Sequence, residues 1–213
     1  MNLADGTLPA KVAEHLRDDE VHVWRVPYAR TDGRAPLLGL LGAYLGCTAG
    51  AVRLVDGEHG RPALADAQPL DFNWSHSGGV ALVALAHGIA PGVDIELWRP
   101  RPRALALARR YFAPAEVAAL SALAPDARDA HFLRLWTAKE AVLKALGRGL
   151  AFGLHRLEIE LVGGTPRLRG LEDADPVQWQ LHALSAGEDC VAALAWRGEP
   201  RRVRMWSVAA GAA

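Results

Sequence analysis

A chain of 213 residues that is 51% hydrophobic and 23% charged is too apolar to be disordered and long enough for one domain or two small ones. Lysine plus arginine equals aspartate plus glutamate at 24 each, so no net field draws the chain to nucleic acid or to an anionic membrane. The two cysteines, Cys47 and Cys190, fit no zinc spacing and no disulfide framework, which leaves free thiols or one bridge. With no leader-type N-terminus and no 18-residue apolar run, a cytoplasmic location is expected.

Residues 1–20 read as a polar, partly helical lead-in, and the alternation of "VHVWRVPY" predicts a first strand over 21–28. "APLLGLLGAYLG" predicts a helix over 35–46, with Arg30 and Arg34 just before it. "DGEHGRPAL" (56–64) has the glycines and proline of an exposed loop. In "DFNWSHSGGVALVALAHG" an alternating strand turns at Gly78-Gly79 into a run of seven apolar residues, Val80–Ala86, which reads as a buried strand. "PGVDIELW" then follows as a strand antiparallel to a core strand.

Residues 104–123 are helical, with Pro114 suited to the first turn of a second helix. "DAHFLRLWTAKEAVLKALG" is the longest helical pattern and stops at Gly147 and Gly149. Strands return in "HRLEIELVGG", "VQWQLHAL", "CVAALAW" and "RVRMWSV". "GVALVALAHG" and "DCVAALAWRG" echo each other, with Val80 and Val191 standing 111 positions apart, which suggests two similar halves. The fold class is α+β, and a cleft between such halves is a natural site.

Asp94 and Glu96 lie two apart on one strand face, about 7 Å from each other at ~3.3 Å per residue. Repulsion between them, in an apolar setting, calls for a cation. Trp136, Glu140 and Lys144 recur at i, i+4 and i+8 along one side of the long helix. A bare Glu–Lys pair at that spacing is usually a solvated surface pair, but Leu133 and Leu143 beside Glu140 argue for partial burial. Asp94, Glu96 and Glu140 could converge on one hard ion, for which all-oxygen ligands suit Mg²⁺. Ser75, His76 and Ser77 with the following glycines form a donor-rich bend of the kind that holds an anion, and Arg30, Arg34 and Arg61 could add bidentate phosphate contacts. Zinc spacing, a Walker loop, a dinucleotide glycine fingerprint and a G-x-S-x-G elbow are all missing.

Taken in order, Gly60-Arg61-Pro62, "FNWSHS" (72–77), "GVDIE" (92–96), "RRYFAPAE" (109–116) and "WTAKEAVLKALGRGL" (136–150) resemble the 4′-phosphopantetheinyl transferases, in particular the two-halved Sfp-type members. The resemblance implies two αβ halves, 1–105 and 106–213, with antiparallel sheets related by a pseudo-twofold and the active site in the cleft between them. It implies transfer of the 4′-phosphopantetheine arm of coenzyme A to a serine of an acyl, peptidyl or aryl carrier protein, with release of adenosine 3′,5′-bisphosphate. Asp94, Glu96 and Glu140 would hold Mg²⁺, or Mn²⁺ in its place, together with the CoA pyrophosphate. Glu140 would also serve as general base and Lys144 would neutralise the phosphate. His76 with Ser75 would bind the CoA 3′-phosphate, the Arg61-Pro62 loop the adenine, and Arg30 and Arg34 are candidates for further CoA contacts. Ile95 between the strand carboxylates adds no ligand, so water fills that position.

Phosphoryl-type transfer relies mainly on positioning and charge neutralisation, and a serine hydroxyl needs a base, so the roles agree with the residue types. A carrier protein with an acidic helix would be met by a local basic surface such as the Arg99–Arg110 stretch. Two rival readings use the same residues: a CoA-binding or carrier-docking protein without turnover, and a Mg²⁺-dependent nucleotide pyrophosphate hydrolase.

Overall fold

The computed structural model describes residues 2–3 and 15–208. Most of the lead-in expected over 1–20 therefore lies outside the described residues; Asn2–Leu3 form a short strand, β1. Strands β2 (Glu20–Pro27), β5 (Leu70–Ser77) and β6 (Val80–His87) and helix α1 (Ala35–Leu45) fall where the hydrophobic pattern puts them. The 56–64 segment, expected as a loop, instead ends in paired strands, β3 (Leu54–Asp56) and β4 (Pro62–Leu64). Strand β7 (Gly92–Leu97) is followed by helices α2 (Ala104–Tyr111), α3 (Pro114–Ser121) and α4 (Pro125–Leu146). Gly147 ends α4 in the left-handed conformation, φ 70°, as the sequence stop signal requires.

The C-terminal strands are β8 (Leu157–Val162), β9 (Thr165–Leu171), β10 (Trp179–Leu184), β11 (Cys190–Arg197) and β12 (Arg202–Val208). Sequence reading misses β9, because "TPRLRGL" breaks alternation with Pro166 and Gly170; it forms by pairing with β8. The fold is α+β, and apart from one edge its sheets are antiparallel. At that edge β12 runs parallel to both its neighbours, β1 and β2.

Two sheets carry the architecture, one in the order β1-β12-β2-β6-β5 and the other β10-β11-β7. Each contains the same arrangement, a strand followed by a helix and then by a hairpin whose second strand is central. β2, α1 and β5–β6 make one such unit; β7, α4 and β10–β11 make the other, so the echoing segments occupy equivalent central strands β6 and β11. The expected division at 105/106 is crossed by pairing in both directions, since β7 bonds to β11 and β12 to β2.

Alternation along each strand divides the apolar residues among three layers. Trp24, Val26, Phe72, Val83 and Leu85 pack on α1, whose inward residues are Leu37, Leu40 and Leu41. Val21, Val23, Leu82, Ala84, Val93, Ile95, Leu194 and Trp196 fill the space between the sheets. Ala193 and Ala195 meet Ala138, Ala141 and Val142 of α4. The order is helix, sheet, sheet, helix.

Strand β7 does not form the hairpin with β6 that its position after a tight turn suggests. Its antiparallel partner is β11, with Asp94 opposite Ala193 and Glu96 opposite Val191. On its other edge, side chains of β5 take the place of a paired strand. The Asn73 side-chain oxygen accepts from the Val93 amide at 3.0 Å and Ser77 Oγ accepts from the Leu97 amide at 3.0 Å. A polar seam between the two sheets results, and it satisfies backbone donors that would otherwise be stranded.

Candidate active site

The site begins with a glycine. At Gly92 a Cβ would lie 2.1 Å from the Ala141 carbonyl oxygen and 2.3 Å from the Ala145 amide nitrogen, so only glycine lets β7 lie directly against α4. This approach brings Lys144 over Asp94. Lys144 Nζ donates to Asp94 Oδ1 at 2.8 Å and to the Val93 carbonyl at 3.1 Å. Ser75 Oγ, across the seam on β5, donates to the same Asp94 oxygen at 2.8 Å. Asp94 is thus held from two elements, β5 and α4, and only 5% of it is exposed.

Glu140 lies one helical turn before Lys144. Burial first, and then the charge of Asp94, push its carboxyl up to about 7 against the pull of Lys144, with Glu96 adding to the rise. One oxygen of each central carboxylate, Asp94 Oδ2 and Glu140 Oε1, is buried without a hydrogen-bond partner. Such orphans are costly unless something else engages them. Glu96 is placed differently: Arg101 Nη2 donates to its Oε2 at 2.9 Å, with Ser77 Oγ 3.4 Å from the same oxygen.

Among the described residues no group of three or more His, Cys, Asp and Glu is arranged to hold a metal ion as it stands. Donor chemistry nonetheless fits a hard divalent cation, since the unpartnered atoms are carboxylate oxygens and their mutual repulsion has no full local remedy.

The remaining sequence candidates divide. His76 stacks on Tyr28 with ring centroids 4.4 Å apart and is exposed beside Trp74. Burial, then the charges of Lys144 and Arg30, lower its pKa, so both cations stand near it. Ser75 leaves the opposite face of β5, toward Asp94, and its side chain does not accompany that of His76. Arg61, from which a bidentate phosphate contact is expected, meets protein acceptors: its Nη2 donates to Asp71 at 3.0 Å, to the Phe72 carbonyl at 2.9 Å and to the Pro91 carbonyl at 3.1 Å. A guanidinium so occupied staples the 57–61 turn to β5 and to the turn before β7. Pro62 opens β4 opposite Asp56, whose carboxylate pairs with Arg34 at 3.1 Å on the surface. Arg30 is exposed.

Sequence reading misses one partner of the site and one ion pair in the core. Arg101 is visible only as part of an arginine-rich stretch, although it follows β7 closely. The second is the pair Glu116–Lys139, Oε2 to Nζ 2.7 Å, which ties "RRYFAPAE" to "WTAKE" in the core. Its signal is a lysine at 139 amid Leu135, Ala138, Val142 and Leu143, on the apolar side of α4.

The family model for the 4′-phosphopantetheinyl transferase superfamily matches residues 90–195, the span from β7 through β11 that contains Asp94, Glu96, Glu140 and Lys144. The chain is 33% identical over 226 residues to the 4′-phosphopantetheinyl transferase HetI of Nostoc sp., covering 90% of this chain and 93% of that protein. It is 42% identical over 94 residues to AcpT of Escherichia coli, covering 44% of this chain and 48% of that one. Similarity to Sfp of Bacillus subtilis is 34% over 111 residues, covering 52% of this chain and 48% of that one. The matches make the chain an enzyme of the transferase class. More narrowly, it belongs to the 4′-phosphopantetheinyl transferase superfamily.

Proposed function

We propose that the chain moves the 4′-phosphopantetheine arm of coenzyme A onto a serine hydroxyl of an apo carrier protein and releases adenosine 3′,5′-bisphosphate. The observation that carries this reading is the pair of unpartnered, buried carboxylate oxygens on Asp94 and Glu140, set beside Lys144 within the segment that matches the family.

Asp94, Glu140 and Glu96 would hold Mg²⁺, or Mn²⁺ in its place, which when bound supplies charge for the pyrophosphate and its leaving oxygen. Lys144 supplies a second positive charge fixed at 2.8 Å from Asp94, where it can meet a phosphate oxygen as the bond to the nucleotide breaks. Glu140, with its carboxyl near 7 in the free protein, accepts the serine proton directly or through water as the serine oxygen bonds to phosphorus. His76, on the outer face of β5 beside Tyr28 and Arg30, would bind the 3′-phosphate, and Ser75 would act on Asp94; the Arg30 charge near His76 supports the first role and the Ser75 hydrogen bond to Asp94 the second. Arg61 and Pro62 shape the neighbouring turn, and Arg30 has the freer side chain of the two N-terminal arginines, since Arg34 is paired with Asp56. The two halves, 1–105 and 106–213, would each supply part of the centre. The carrier protein would dock beside the Arg99–Arg110 stretch, and the reaction would take place in the cytoplasm; no helix among the described residues is long and apolar enough to cross a membrane.

The test is incubation with coenzyme A, MgCl₂ and several apo carrier proteins, followed by intact mass measurement. The expected result is one phosphopantetheine arm added at the carrier serine, abolished by EDTA and restored by excess Mg²⁺. Cleavage of CoA without an adduct would turn the reading toward pyrophosphate hydrolysis, and bound but intact CoA toward a binding protein.

A further inference from the structure

Arg101 stands where a divalent cation bound by Glu96 would find its charge already answered. Its Nη2 donates to Glu96 Oε2 at 2.9 Å, and the two side chains are only 22% and 24% exposed. The arginine is fixed from behind, because its backbone amide donates to Asp129 Oδ2 at 2.7 Å in the first turns of α4. Its Nε is buried and has no partner. Along the crossing of β7 and α4 the charges run Lys144, Asp94, Glu140, Glu96, Arg101, so that three carboxylates are flanked at both ends by cations of the chain itself.

Neither end is equivalent to the other. Lys144 sits on α4, also donates to the Val93 carbonyl and is built into the strand–helix contact. Arg101 comes from the loop between β7 and α2, and among the described residues the only side chain its guanidinium grips is that of Glu96. An arginine on a single N–H···O contact can be exchanged for another cation more cheaply than a lysine held from two directions.

We propose that Arg101 is a positioning residue that competes with the divalent cation for Glu96. It keeps the three-carboxylate centre from loading fully before the substrate phosphates arrive. Loading and substrate binding become coupled, because a metal drawn in by the pyrophosphate takes Glu96 and frees the guanidinium. The inference rests on the metal reading given above and adds a regulator to it.

The test measures Mn²⁺ binding by isothermal titration calorimetry, with and without coenzyme A, for the full chain and for Arg101→Gln. Without CoA the variant should bind Mn²⁺ roughly fivefold or more tightly, as removal of the charge-assisted hydrogen bond that occupies Glu96 requires. The gain in Mn²⁺ affinity that CoA brings to the unsubstituted protein should shrink by the same factor. Arg101→Lys, which retains the charge, should stay close to the unsubstituted protein. In a Glu96→Gln background, Arg101→Gln should change Mn²⁺ affinity little, since the competition passes through Glu96. Equal or weaker Mn²⁺ binding by a folded Arg101→Gln, in a protein that binds Mn²⁺, overturns the competition while leaving the metal reading intact. No Mn²⁺ binding by the unsubstituted protein, with CoA or without it, overturns both.

Discussion

Helix α4 carries two lysine–carboxylate pairs that differ in almost every respect. Lys139 is wholly buried, with Nζ donating to Glu116 at 2.7 Å and to the carbonyls of Leu154 at 2.9 Å and Leu157 at 2.6 Å. Glu116 in turn accepts from the amides of Ala113 and Ile159 and so uses both oxygens. Lys144, five residues on, is a quarter exposed and pairs with an aspartate whose second oxygen has no partner. The first pair is saturated and closes three elements around α4. The second is left short of donors, beside a third carboxylate that repels it. A complete set of hydrogen bonds marks the pair that holds the fold, and an incomplete set marks the one available for a ligand.

The largest effect is expected of Lys139→Met. Removing one partner strands Glu116 in the core, so the variant should lose about 3–5 kcal/mol of stability, read by urea denaturation. Any loss of activity should follow the unfolded fraction. A loss below about 1 kcal/mol would place the pair among weak surface contacts instead.

Next in size is Glu140→Gln, for which transfer should fall by at least about a hundredfold while the fold remains intact. Its stability difference from the unsubstituted protein also has a sign set by the raised carboxyl. In chelator, folded Glu140 binds its proton more tightly than the unfolded chain does. The unsubstituted protein therefore loses stability as pH climbs from the ordinary glutamate value of 4.5 toward about 7, and levels off above that. Glu140→Gln should lack this decline, so urea midpoints of the two proteins should diverge over that window. Parallel curves would show that Glu140 is not strained in the free protein.

Smallest is Ser75→Ala, which removes one of the two donors to Asp94 Oδ1 and leaves Lys144. About 1 kcal/mol of stability and a few-fold of activity should be lost, with the Michaelis constant for CoA little changed if Ser75 acts on Asp94 alone. A large rise in that constant would return Ser75 to the phosphate.

Local pattern makes much of this molecule legible. Helix α4 is bounded by its period and by Gly147, and β7 by its alternation, so Asp94, Glu96, Glu140 and Lys144 stand out as candidates. Partnering is the harder part, because it depends on distant residues. The turn before β7 looks like a hairpin turn, yet the strand crosses to β11 because Asn73 and Ser77 cover the edge that β6 might have supplied. Arg61 reads as a phosphate donor from its type alone, and three acceptors on Asp71, Phe72 and Pro91 claim it. Lys139 is the reverse case: a charge on the apolar face of a helix demands a buried partner, but nothing local in the sequence points to Glu116, 23 positions earlier, as the residue that supplies it.

The parallel pairing of β12 with β2 also bears on how this chain is made. Glu20 faces Arg202 in that register, and Trp206 lies stacked on Trp24 at 4.9 Å between ring centroids. During synthesis from the N-terminus, β2, α1, β5 and β6 emerge long before the strand that covers them. One edge of β2 stays unpaired, and Trp24 lacks its stacking partner Trp206, until the residues from 202 onward leave the ribosome. Contacts so distant in sequence also slow the final closure. That edge of the sheet closes only with the last strands, and not with completion of the first half.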